Sequence, residues 1–127
     1  MGYTVKEISE KTSLKPYVLR YYEKEGLLPH VKRTQGGIRH YTDRDLEWLG
    51  LICCLKSTGM SIRQIREFVN LSQRGPETLQ KRCEMLKTHR EDVVAKISEM
   101  QRHLDLVTHK IDYFTRQYDD YLARKKL

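Results

Sequence analysis

Residues 15–29 read "KPYVLRYYEKEGLLP" and carry the punctuation of one short helix. Pro16 suits a first helical position, where its missing N–H would have no intrahelical partner anyway. Lys15 before it is pushed towards extended geometry and is a poor N-cap. Gly26 supplies a left-handed stop. Inside this frame two tyrosines follow Arg20 directly. Neighbouring helical residues point about 100° apart, so one ring packs inward and the other reaches out; Tyr21 is the outward candidate. Upstream, Thr4 and Glu7 form a T-x-x-E capping box opening a helix over "VKEISEK". The polar turn "TSL" joins the two, making a helix-turn-helix over residues 4–25.

Downstream, "VKRTQGGIRHY" places β-formers on both sides of "TQGG", a hairpin turn signal, and predicts a wing over 31–41. "YTDRD" offers Thr42 and Asp45 as a second capping box for a helix over 43–57. Its "LEWLGLICCLK" is apolar almost all round and is expected to be buried. Gly59 stops it. Ser61 and Gln64 open a further helix over 62–71, and "LSQRGP" reads as a break, giving a linker at 72–76.

From there the period changes. Leu79, Leu86, Val93, Met100, Val107, Phe114 and Tyr121 recur every seventh residue, and Cys83, Arg90, Ile97, Leu104, Ile111 and Tyr118 fill the companion row. This is an a/d seam in which Arg90 is the only charged member. A helix over 77–122, at 1.5 Å per residue, is roughly 65–70 Å long. A head of 75 residues cannot cover such a stripe, so the pattern calls for a second copy. Residues 123–127 are a basic tail. The expected fold is mainly α: a winged helix-turn-helix head over 1–71 followed by a long dimerisation helix.

Charge is concentrated towards the head. Of the net +7, residues 1–75 carry +5, from 13 Lys and Arg against 8 Asp and Glu. Lys15, Arg20, Lys24, Lys32, Arg33 and Arg39 fall within one helix and one hairpin, which suits a polyanion partner. No apolar run approaches the ~18 residues of a membrane span, and "MGYTVKEISE" lacks a signal-peptide core; a cytoplasmic protein without membrane contact is expected. Three cysteines without Cys-x-x-Cys spacing argue against a disulfide framework or a zinc site. Five scattered histidines and the absence of a glycine-rich phosphate loop argue against an enzyme, and no cofactor is implied.

The ordered set of a capped first helix, "LRYYEKEGLLP", "GIRHYTDRDL", "LKSTGMSIRQI" and a long terminal helix resembles the MerR family of transcriptional regulators along the whole chain. The resemblance implies a winged helix-turn-helix dimer joined by an antiparallel coiled coil. Such a dimer binds a palindromic promoter operator in double-stranded DNA and distorts it for RNA polymerase. Carried onto this sequence, Arg20 and Tyr21 match positions gripping the DNA backbone, and Arg39 and Tyr41 match the wing's G-x-R-x-Y contacts, with Lys32 and Arg33 nearby. Thr4, Lys15 and Tyr17 complete the expected DNA-facing set; Lys15 and Tyr17 depart from the family pattern. The implied dimer seam comprises Leu79, Cys83, Leu86, Val93, Ile97, Met100, Leu104, Val107, Ile111 and Phe114.

Effector domains of the family follow the coiled coil, whereas this sequence ends at Leu127 and its last segment has no cysteine. Metal sensing is not expected. The register "ICCLKSTG" puts Cys54 at the single cysteine of the AdhR/NmlR-like branch, which implies a response to aldehydes, other electrophiles or nitrosative stress. Two other readings stand beside it: a small organic ligand held between head and coiled coil, and a coiled-coil adaptor with a basic head. A buried, inert Cys54 is also compatible with an apolar helix.

Overall fold

The computed structural model describes residues 2–29, 31–33 and 39–126; the "TQGG" turn of the expected wing lies outside the described residues. The elements are β1 (Gly2–Tyr3), α1 (Val5–Thr12), α2 (Pro16–Lys24), β2 (Lys32–Arg33), β3 (Arg39–Thr42), α3 (Asp43–Ser57), α4 (Ile62–Arg74), a 3₁₀ turn (Pro76–Thr78) and α5 (Leu79–Lys125). The chain divides into two compact units, residues 1–87 and 88–127.

The helix starts are set chemically. Thr4, Thr42 and Ser61 each accept the N–H of the residue three further on, and Glu7, Asp45 and Gln64 each return a side-chain oxygen to the cap N–H. Each box satisfies two otherwise orphaned donors and contributes about 1 kcal/mol. The stops are equally local. Gly26 (φ 78°) and Gly59 (φ 100°) adopt the left-handed region, and the next residues, Leu27 and Met60, donate back to Tyr22 and Leu55 carbonyls at 2.9 Å.

In the first unit, α1 to α4 surround one core. Ile8, Leu19, Leu27, Leu49, Ile52, Ile65 and Val69 are fully enclosed, and Met85 and Leu86 from the first turns of α5 pack against the cluster. A three-stranded antiparallel sheet, ordered β1-β3-β2, closes one side, with Tyr3 opposite Tyr41 and Lys32 opposite His40. The Tyr3 hydroxyl donates to Asp43 Oδ1 at 2.5 Å, tying the strand to the start of α3. A Cβ on Gly2 would fall 1.6 Å from His40 Cε1, so glycine lets β1 lie beside that ring.

Three expectations need correction. The linker at 72–76 is largely helical: α4 runs to Arg74, and only Gly75 (φ 108°) breaks the backbone before the 3₁₀ turn. Thr78 Oγ1 donates to the Leu71 carbonyl at 2.7 Å, holding that corner shut. Helix α3 is buried on one face rather than all round; Gly50 and Cys54, four residues apart, lie on its exposed face. The basic tail is helical as far as Lys125.

In the second unit α5 is the only element. Along all 47 positions of α5, which begins at Leu79 in the first unit, no residue is buried. Ile97, Met100, Leu104, Val107, Ile111 and Phe114 are between 55 and 68% exposed, an unbroken apolar row in water. The helix is internally braced: Glu99 lies 3.7 Å from His103, and Gln101 donates to Asp105 at 2.8 Å, both at i,i+4 spacing.

Replacing Ile65, wholly enclosed on α4, with alanine is expected to cost about 2–5 kcal/mol, read as a lower urea midpoint for the head. Arg63→Ala, one half-turn away on the exposed face, is expected to shift it by less than ~0.5 kcal/mol.

Candidate nucleic-acid interface

The second helix of the helix-turn-helix has two faces. Val18, Leu19 and Tyr22 turn inward, Tyr22 to 7% exposure, while Tyr17 (62%), Arg20, Tyr21 (45%) and Lys24 face solvent. These four positions follow i, i+3, i+4 and i+7, one stripe of a helix. The two tyrosine rings of the sequence motif stand 6.1 Å apart at 48°, one anchored and one offered. Burial pushes the Tyr22 hydroxyl above its usual pKa, with smaller effects from Cys53 and Tyr21. Arg20 has no ion pair among the described residues, so its guanidinium keeps five donors in a planar fork for an external acceptor.

Two contacts hold the C-terminal end of α2. Trp48 Nε1 donates to the Leu27 carbonyl at 2.9 Å, and the indole stacks on Phe68 with centroids 6.2 Å apart. Arg66 Nε donates to the Glu25 carbonyl at 3.0 Å and its second nitrogen pairs with the Glu25 carboxylate. Neither contact is visible as a sequence motif, because both span more than 20 residues.

Of the other expected positions, Lys15 is exposed as an N-cap without a side-chain hydrogen bond. Thr4 is exposed but its hydroxyl is committed to the capping box. Lys32, Arg33 and Arg39 are placed by backbone alone on β2 and β3, beside one another in register; their side chains lie outside the described part. Tyr41 is a correction: at 1% exposure its ring is a core residue, and its side chain is not available to DNA. Strand β3 alternates faces, so His40 takes the outer position and Tyr41 the inner one. Lys24 joins the outward stripe instead.

A helix whose outer face combines arginine, lysine and amphipathic tyrosine, rigidly held at one end, suits contact with a phosphodiester backbone. Residues 3–71 match the family described as MerR HTH family regulatory protein, and residues 46–110 match that described as MerR, DNA binding. The chain belongs to the MerR family and is a DNA-binding transcriptional regulator of that type. It is similar to HiNmlR, a MerR family regulator lacking the sensor domain and solved bound to promoter DNA: TM-score 0.86, 40% identity, covering 91% of this chain and 92% of that one. An uncharacterised HTH-type transcriptional regulator of Haemophilus influenzae is 40% identical over 91% of this chain and 86% of its own length. The regulator AdhR of Bacillus subtilis is 33% identical over 71% of this chain and 64% of its own. Among the described residues no helix is long and apolar enough to cross a membrane.

Arg20→Ala is expected to weaken binding to any duplex and to flatten log affinity against log salt by about one unit of slope per lost phosphate contact. Tyr41→Phe is expected to leave that slope unchanged. Fluorescence anisotropy at several salt concentrations reads both.

Proposed function

We propose that this regulator works as a homodimer on a palindromic promoter operator, with Tyr17, Arg20, Tyr21 and Lys24 of each head on the backbone and Lys32, Arg33 and Arg39 on the flanking wing. Two copies pair antiparallel through the α5 seam, setting the two heads a fixed distance apart. The operator is distorted on activation so that RNA polymerase engages both promoter elements. The observation that carries this reading is the uncovered apolar row of α5, which has no partner within its own unit. Burying it between two helices at about 25 cal/mol per Å² is the largest stabilisation open to that segment.

Sensing is assigned to Cys54. It stands on the exposed face of α3, whereas Cys53 beside it is half-buried, with its thiol pushed above the ordinary pKa by loss of hydration. A raised thiol pKa lowers the thiolate fraction at neutral pH, so Cys53 is the slower nucleophile. Aldehydes and other electrophiles are the proposed inducers.

Val107→Asp with Ile111→Asp is expected to yield a monomer by light scattering and to abolish preference for an inverted repeat selected from random duplexes; a dimer of unchanged affinity contradicts the pairing. Alkylation by iodoacetamide at pH 7 should label Cys54 before Cys53, with Cys53 gaining only as pH rises. Cys54→Ser should retain the operator and lose the response to aldehyde; a normal response rejects the thiol sensor.

A further inference from the structure

Helix α4 carries a cationic face that neither the core nor the α2 stripe uses. Arg63, Arg66, Asn70 and Arg74 follow one another at three- and four-residue steps, so they share one side of the helix. With Lys81 from the start of α5 they line a hollow of about 370 Å³ within the first unit. Its floor is Leu71, which is buried. Glu67 is the one acid among the lining residues, against four cations, and it already stands 4.0 Å from Lys81. Among the described residues neither Arg63 nor Arg74 has an ion pair or a hydrogen-bond partner for its side chain. Like charges one turn apart on a helix repel, so an anion from outside the chain would relieve this face.

The lining selects the kind of anion. Guanidinium groups meet phosphate oxygens with paired hydrogen bonds. The apolar floor and the Asn70 amide, donor and acceptor at once, suit an organic portion. The volume lies at the lower end of small-ligand pockets, about 300–1,000 Å³. A duplex is a convex rod and suits side chains that project, as those of the α2 stripe do, better than a hollow.

We propose that this hollow binds a small organic phosphate, and that the ligand acts on the DNA-reading helix through Arg66. Arg66 lines the hollow, yet its Nε also donates to the Glu25 carbonyl at 3.0 Å and its second nitrogen pairs with the Glu25 carboxylate, at the end of α2. A phosphate in the hollow competes with that carboxylate for one guanidinium. The grip on the far end of α2 loosens and DNA affinity falls. By reciprocity, bound DNA weakens the ligand by the same factor. The inference needs only a head that binds DNA; it depends neither on the α5 pairing nor on Cys54.

Isothermal titration calorimetry of the full chain at constant ionic strength tests the site, with inorganic pyrophosphate and ADP as probes. Saturable binding of one probe per chain is expected, weakened about ten-fold by Arg74→Ala, the loss of one charge-assisted contact. Should Arg74→Ala, at the end of α4, unfold the head, Arg63→Ala at the other end of the hollow decides in its place. No saturable binding of either probe at millimolar concentration, or binding that these variants leave unchanged, overturns the site. Fluorescence anisotropy with a labelled duplex tests the coupling. ADP is expected to weaken DNA binding by the wild type, and Arg63→Ala with Arg74→Ala to abolish that effect while leaving the DNA affinity of the ligand-free protein unchanged. A double variant that by itself binds DNA more weakly, with a shallower salt slope, assigns the hollow to the duplex and rejects the small ligand. Glu25→Gln removes the competing charge and is expected to tighten ADP binding. Unchanged ADP affinity in that variant, or bound ADP without effect on DNA, rejects the route through Arg66.

Discussion

The reading helix is nine residues long and sinks only Val18, Leu19 and Tyr22 into the head, so its direction depends on what grips its far end. A helix of that length is not stable alone. Its orientation is fixed by the Schellman turn at Gly26, by Trp48 reaching the Leu27 carbonyl and by Arg66 clamping Glu25. All three act within three residues of one another. The outward stripe can then be polar and charged without loss of order, because the contacts that hold α2 are made elsewhere. That separation leaves Tyr17, Arg20, Tyr21 and Lys24 exposed for the proposed DNA contact.

The same division of labour recurs in α5. Side-chain pairs at i,i+4 support the helix from its polar faces, leaving the seam free for association. Lysines on one flank, Lys96 and Lys110, make that flank unlike the one bearing Val94, Gln101 and Thr108. Surface pairs of this kind are individually worth little, so in the proposed dimer the apolar row, not the charges, would dominate the drive to pair.

Much of this was legible in the sequence because its determinants are local. A capping box needs four consecutive residues, and a left-handed stop needs one glycine; the caps at Thr4, Thr42 and Ser61 and the stops at Gly26 and Gly59 were readable as they stand. That one ring of the tyrosine pair packs inward while the other faces out followed from helix geometry. What escaped was non-local or too short to have a period. Strand β1 is two residues long and exists only by pairing with β3. In the four residues of β3, alternation does not say which side faces the core, and Tyr41 is expected at the DNA only through its match to the family's wing motif. The exposure of Gly50 and Cys54 escaped because an all-apolar stretch hides which face the neighbouring helices cover. The Trp48 and Arg66 clamps span 21 and 41 residues and leave no spacing to read.

The central claim is that two copies act as one unit, with heads held at a set separation along the duplex. Native mass spectrometry of the protein with its selected inverted repeat tests this most directly, alongside a duplex in which half a helical turn, about 5 bp, is inserted between the half-sites. The account predicts two chains per duplex at every mixing ratio on the native spacing and loss of that complex on the lengthened one. A ladder of one and two chains binding independently, indifferent to the insertion, would contradict it.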